Sequence, residues 1–121
     1  MDSILTSIKK LLGIDKEYTH FDADIIMHIN DALFVLTQLG VGPPEGFRID
    51  DDTAIWSDFI PANDENYDSV RTYVHKKVRL AFDTPQGSVL AAVERQASEL
   101  EWRMNVAAET PTSNALEGVR D

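Results

Sequence analysis

Residues Val70–Met104 read VRTYVHKKVRLAFDTPQGSVLAAVERQASELEWRM, and the apolar spacing in this stretch decides the fold. Before the Asp83-Thr84-Pro85 break, apolar residues recur at Val70, Val74, Val78 and Ala81. After it they recur at Leu90, Val93, Ala97, Leu100 and Met104. Intervals of three and four residues put each set on one face of a helix. The stretch therefore predicts a hairpin of two amphipathic helices, at about 64–82 and 88–107, with Ser88 capping the second. Such a hairpin covers a core but supplies no nucleophile, metal cage or phosphate loop. It points to work done by contact rather than by chemistry.

Working outward from the hairpin, two more helices precede it. The first is expected from about Ser3 to Leu12, capped by Asp2 and stopped by Gly13. Its stripe is Ile4, Leu5, Ile8, Leu11 and Leu12, with Lys9 and Lys10 off it. The next begins near Thr19–Asp22, a pair spaced like a capping box with a shortened acid. It runs to Leu39 and ends at Gly40, with Pro43 and Pro44 beyond. Phe21, Ile25, Ile29, Ala32, Leu36 and Leu39 form its main stripe, widened by Ile26, Leu33 and Val35. Phe34 and Met27 lie off that stripe. Apolar over more than half its circumference, this helix reads as the hub of the bundle.

Between these pairs, residues 45–60 are ambiguous. Phe47-Arg48-Ile49 alternates like a short strand, while Thr53–Ile60 fits a strand or a helical turn equally well. The fold class is mainly α: a bundle of about four helices with an irregular or short β-hairpin insertion at about 45–60. The predicted division is a helical domain over 1–108 and a flexible C-terminal tail over 109–121, where TPTSNALEGVRD lacks a packing pattern.

Composition narrows the class further. At 121 residues the chain supports one core. Its 43% hydrophobic and 26% charged content is ordinary for a globular domain, and no apolar run spans a bilayer. MDSILTSIKKLLG inverts the order of a secretory signal, and the absence of cysteine excludes disulfides. Net charge is −10, which disfavours sequence-independent binding to nucleic acid. That charge is segregated. Residues 45–68 carry eight acids, Asp50, Asp51 and Asp52 among them, against Arg48 alone. Residues 71–79 carry Arg71, Lys76, Lys77 and Arg79 and no acid. Acidic loops often serve solubility alone, yet copies packed head to side could pair this loop with a neighbour's basic helix.

The catalytic patterns sought are missing. His28 follows Asp24 by four residues, but two ligands do not make a metal site, and His28 borders the buried stripe. Asp50-Asp51-Asp52 lacks the alternate spacing, the glycine and the terminal glutamate of a calcium loop; it reads as solvated, or as a cap for the element near Thr53. No glycine-flanked nucleophile and no phosphate loop are present. The expectation is no catalytic, metal or cofactor-binding residue. Trp102 carries more information. At 100° per residue it falls opposite the last helix's stripe, alongside Arg95 and Glu99. It either packs beneath the 47–60 segment of its own chain or anchors a neighbour. Tyr73 flanks the preceding helix's stripe, so that helix too has a second neighbour. The expected contact residues are Trp102, Arg95, Glu99, Tyr73, Lys76, Lys77, Arg79, Asp50, Asp51 and Asp52.

Five passages carry a family resemblance: the opening helix with Leu12-Gly13-Ile14-Asp15; FDADIIMHINDALFVLTQLGVGP from Phe21; TAIWSDFI from Thr53; VRTYVHKKVRLAFDTP from Val70; and ERQASELEWRMN from Glu94. Together they resemble the head–tail connector (head-completion adaptor) proteins of tailed bacteriophages over most of residues 1–106. PANDENYD at 61–68 and the tail have no counterpart. The resemblance implies a structural, non-enzymatic virion protein at the head–tail junction, made in the bacterial host cytoplasm. It implies a homo-oligomeric ring under the portal after DNA packaging, docked by a tail-side completion protein, with DNA passing through unspecifically and no membrane. The acids of 45–68 would suit a DNA-repelling channel lining. Two rival classes are an acidic DNA mimic inhibiting a host nucleic-acid enzyme, which needs carboxylates spread along a rigid surface, and a small carboxylate-dependent enzyme.

Overall fold

The computed structural model describes residues 3–120, with side chains through Ala107. Among the described residues five helices form: α1 (Ile4–Leu11), α2 (Asp22–Gln38), α3 (Trp56–Phe59), α4 (Tyr67–Phe82) and α5 (Gly87–Arg120). α4 and α5 are the two arms of the expected hairpin. Among the described residues no strand forms, and an isolated antiparallel bridge joins Ser3 to Ile55. The expected boundary at 108 and the tail over 109–121 fall outside the residues whose side chains are described.

Each terminus has a local cause. Ser3 is the N-cap of α1, its hydroxyl accepting from the Thr6 amide at 3.0 Å. The expected cap, Asp2, lies outside the described residues. At the other end Gly13, at φ +80°, closes the helix: Ile14 N–H reaches Lys9 O (2.8 Å) and Gly13 N–H reaches Lys10 O (3.1 Å). α2 ends the same way, with Gly40 at φ +88°, Val41 N–H on Leu36 O and Gly40 N–H on Thr37 O. The Thr19–Asp22 box does not form. Phe21 is the N-cap and makes no side-chain cap bond, because the Asp22 carboxylate turns to Lys9 at 2.8 Å instead. Ser88 lies inside the first turn of α5 and does not precede it. α4 begins at Tyr67, three residues later than expected, after a turn in which Asp64 accepts from the Asn66 amide.

The stripes pack as read, with exceptions at their ends. Val70, Val74 and Val78 of α4 meet Ile25, Ile29, Ala32, Leu33 and Leu36 of α2 in one core with Ile4, Leu5 and Ile8 of α1. Burying each large aliphatic side chain contributes about 1.5–3 kcal/mol. Ala81 and Leu11, at the last turns of α4 and α1, are exposed after all. The central helix is α4, which packs against α1, α2 and α5, and not α2 as its wide apolar surface suggested. The surplus apolar residues of α2, Met27 and Phe34, are exposed in place of meeting another helix.

The 45–60 insertion is irregular and ends in the helical turn α3. It is held by groups from α1 and α2. Asn30 in α2 accepts from Ile49 N–H (2.8 Å) and donates to Ile49 O (2.9 Å), acting as a one-residue strand partner. Ile4 N–H donates to Ala54 O at 2.8 Å. Trp56 is buried, its indole N–H donating to Ser7 Oγ (2.8 Å), whose hydroxyl donates on to Ile4 O.

Lys9 departs most from the sequence reading. It is 2% exposed. Its ammonium donates to the carbonyls of Lys16 (3.0 Å) and Tyr18 (2.7 Å) and pairs with Asp22, so one charge organises the whole α1–α2 connection. Its four-carbon stem packs under the loop while the three donors of the head are used.

Candidate interaction surfaces

Three surfaces emerge from this framework. The first is the outer face of α5. Val93, Ala97 and Met104 turn inward and are buried, which forces Arg95, Glu99 and Trp102 outward. Trp102 is 67% exposed, so it does not pack beneath the 47–60 segment of its own chain. Beside it Glu99 pairs with Arg103 one turn on.

The second surface is the basic flank of α4. Lys76, Lys77 and Arg79 are all half-buried. Lys77 approaches Glu101 of α5 at 3.9 Å, while Lys76 and Arg79 make no ion pair among the described residues. Between them and α1, His75 is half-buried. Burial, with Lys76 and Arg79 adding to it, pushes its imidazole below the ordinary value, against an opposing hydrogen bond with the Leu11 backbone. Tyr73 behaves differently from the other expected contact residues. It is fully buried, its hydroxyl donating to Glu101 Oε2 at 2.6 Å, and so has no exposed surface in the single chain. Its second neighbour is α5. Burial, the hydrogen bond and the negative charge of Glu101 together raise its phenol well above the usual range.

The third surface is the acidic insertion. Asp50, Asp51 and Asp52 are exposed. Asp50 lies 3.7 Å from Arg48. Asp51 caps the following turn, accepting from the Thr53 hydroxyl (2.6 Å) and amide (2.9 Å), and those two bonds, the hydroxyl first, hold its carboxyl below the usual value. Among the described residues no three His, Asp or Glu side chains converge as metal ligands would. His28 is half-buried at the edge of a cleft with Asp31, Lys77, Leu80 and Glu94. No helix among the described residues is long and apolar enough to cross a membrane.

Sequence reasoning thus placed Trp102, Arg95 and Glu99 on the outward face they occupy, and gave α4 a second neighbour at Tyr73, which is α5 of the same chain. It passed over Asn30, which holds the insertion, and set Lys9 off the α1 stripe, where the structure buries it under the α1–α2 connection. It noted Met27 and Phe34 as off-stripe without assigning them a role.

A model of a family described as "phage connector protein" matches residues 4–111. No curated protein and no solved structure gives a significant match.

Proposed function

The chain belongs to the phage connector protein family, and from that premise we propose that it acts as a structural, non-enzymatic adaptor in a homo-oligomeric ring beneath the portal. In this reading the ring assembles after DNA packaging and offers a docking surface to tail-side completion proteins, within the virion's head–tail junction. The observation that carries it is Trp102. A tryptophan two-thirds exposed on a regular helix, flanked by Arg95 and Glu99, has the composition of an interface centre. Two further features support the reading. The basic flank of α4 and the acidic insertion carry opposite charge on one chain, so adjacent copies can pair Lys76, Lys77 and Arg79 with Asp50, Asp51 and Asp52. Acids left over would face passing DNA and limit sticking, with no specific DNA contact.

Mixing the protein with purified cognate portal rings tests the proposal directly. The expected result is a ring-shaped addition at one end of the portal by electron microscopy and a matching rise in light-scattering mass. A protein that stays free of portal at high concentration would reject the adaptor role.

A further inference from the structure

Besides Trp102, a second exposed aromatic feature stands out, and the two have complementary shapes. On α2, Met27 and Phe34 are 52% and 62% exposed, two turns apart. Phe34 opens onto a groove of about 530 Å³ whose opposite side is Glu45, Phe47 and Arg48. This groove is built rather than incidental. The two Asn30–Ile49 hydrogen bonds fix the 45–49 segment beside α2, and Phe47 is held edge-on against Phe59 with ring centroids 5.7 Å apart. Of the two charged residues that line it, Arg48 lies 3.7 Å from Asp50, and Glu45 is the charge there without an ion pair among the described residues. The α5 face is the converse, a convex ridge with a large aromatic and a positive charge. Arg103 is paired with Glu99, and among the described residues Arg95 has no ion pair.

We infer that Trp102 and Arg95 of one copy dock into the Phe34–Phe47 groove of a second copy, the indole against the two rings and the guanidinium against Glu45. The inference rests on the ring reading above and specifies its contact. A concave aromatic groove edged by Glu45 and a convex aromatic ridge carrying Arg95 match in shape and in charge. Because donor and acceptor are different surfaces, the contact is heterologous, and repetition about one axis closes a ring.

The absence of cysteine makes the test clean. Ser98 is exposed one turn before Trp102, and Gln38 is exposed one turn after Phe34. S98C and Q38C proteins, each retaining both aromatic anchors, are mixed on portal rings and treated with a short bis-maleimide. The expected product is the mixed S98C–Q38C dimer, and the S98C/Q38C double variant should give a ladder. Adding Trp102→Ala to S98C should cut association by about thirtyfold, the loss typical of an interface anchor. Glu45→Arg should weaken cross-linking, and Arg95→Glu in its partner should restore it. Circular dichroism confirms that each variant is folded. Dimers of S98C with itself alone would mean a two-fold contact and overturn the inference. Ring assembly on the portal without any mixed product would overturn this contact and leave the ring reading standing. Failure of the wild-type chain to assemble on the portal would remove the reading beneath it.

Discussion

At Lys9, a single side chain shows how far local chemistry can override a pattern. The helical wheel assigns it to the solvent side, yet the loop closes over it and uses every proton of the ammonium. Nothing in periodicity encodes that, since the carbonyls it meets lie seven and nine residues away. Lys9→Met keeps the stem but leaves a partly buried Asp22 without its counter-charge. It should cost about 2–3 kcal/mol, read as a lower urea midpoint, and Asp22→Asn in the same chain should recover part of the loss. His75 supplies a second residue-level expectation. Its folded-state proton affinity lies below the ordinary 6.5, so as pH falls through that value the unfolded chain protonates first. Stability should be fully present above that point and decline as acid is added. His75→Gln should flatten the profile, measured as urea midpoints between about pH 7.5 and 5.5.

The helices themselves were legible where glycine and apolar spacing agree. α2 ends within a residue of its expected stop because Gly40 adopts the left-handed conformation that the closing hydrogen bonds require. Gly40→Ala should lower stability by about 1 kcal/mol in thermal denaturation, with helix content nearly unchanged. The starts were less legible. Ser3, Phe21 and Asn66 occupy the N-cap positions, and only Ser3 caps with its side chain. Phe21 and Asn66 follow turns whose backbone bonds, Asp22 N–H to Thr19 O and Tyr67 N–H to Asp64 O, steer the chain into the helix. Propensity rules reward side-chain caps and miss such entries. The insertion resisted prediction for a related reason: its stabilising partners, Asn30 and Ser7, belong to distant helices, so no window of local sequence contains the pairing.

For the molecule as a whole, the sequence conveyed the helical class and the outward aromatic but not the order of packing. The broad apolar surface of α2 suggested a hub, whereas α4, with its narrower stripe of three valines and Tyr73, sits between α2 and α5. Width of apolar surface measures how much a helix has to cover. It does not say whether its own chain or another does the covering, and Met27 and Phe34 remain uncovered here. Exposure was legible in the same partial way: Trp102 because its angle on the wheel is unambiguous, Tyr73 less so, because a residue flanking a stripe faces whichever neighbour arrives, here α5. If copies pair basic helix to acidic loop, Lys76→Glu and Arg79→Glu should each weaken portal-bound ring formation by about tenfold, more at low salt, with far-UV spectra unaltered. Assembly indifferent to both reversals would exclude that pairing and leave the aromatic contact to hold the copies together.

The link between Ser3–Ile4 and Ala54–Ile55 bears on how the protein emerges from the ribosome. Helix α1 is translated some fifty residues before the segment that receives it, several seconds at bacterial synthesis rates of about 5–20 residues per second. Through that interval Ile4, Leu5 and Ile8 have α2 to pack against but lack the cover that the insertion and α4 supply, and the nascent chain displays a greasy patch of the kind chaperones hold. Native docking of the opening helix is therefore completed only after Trp56 leaves the exit tunnel, and the chain is most prone to clump before then.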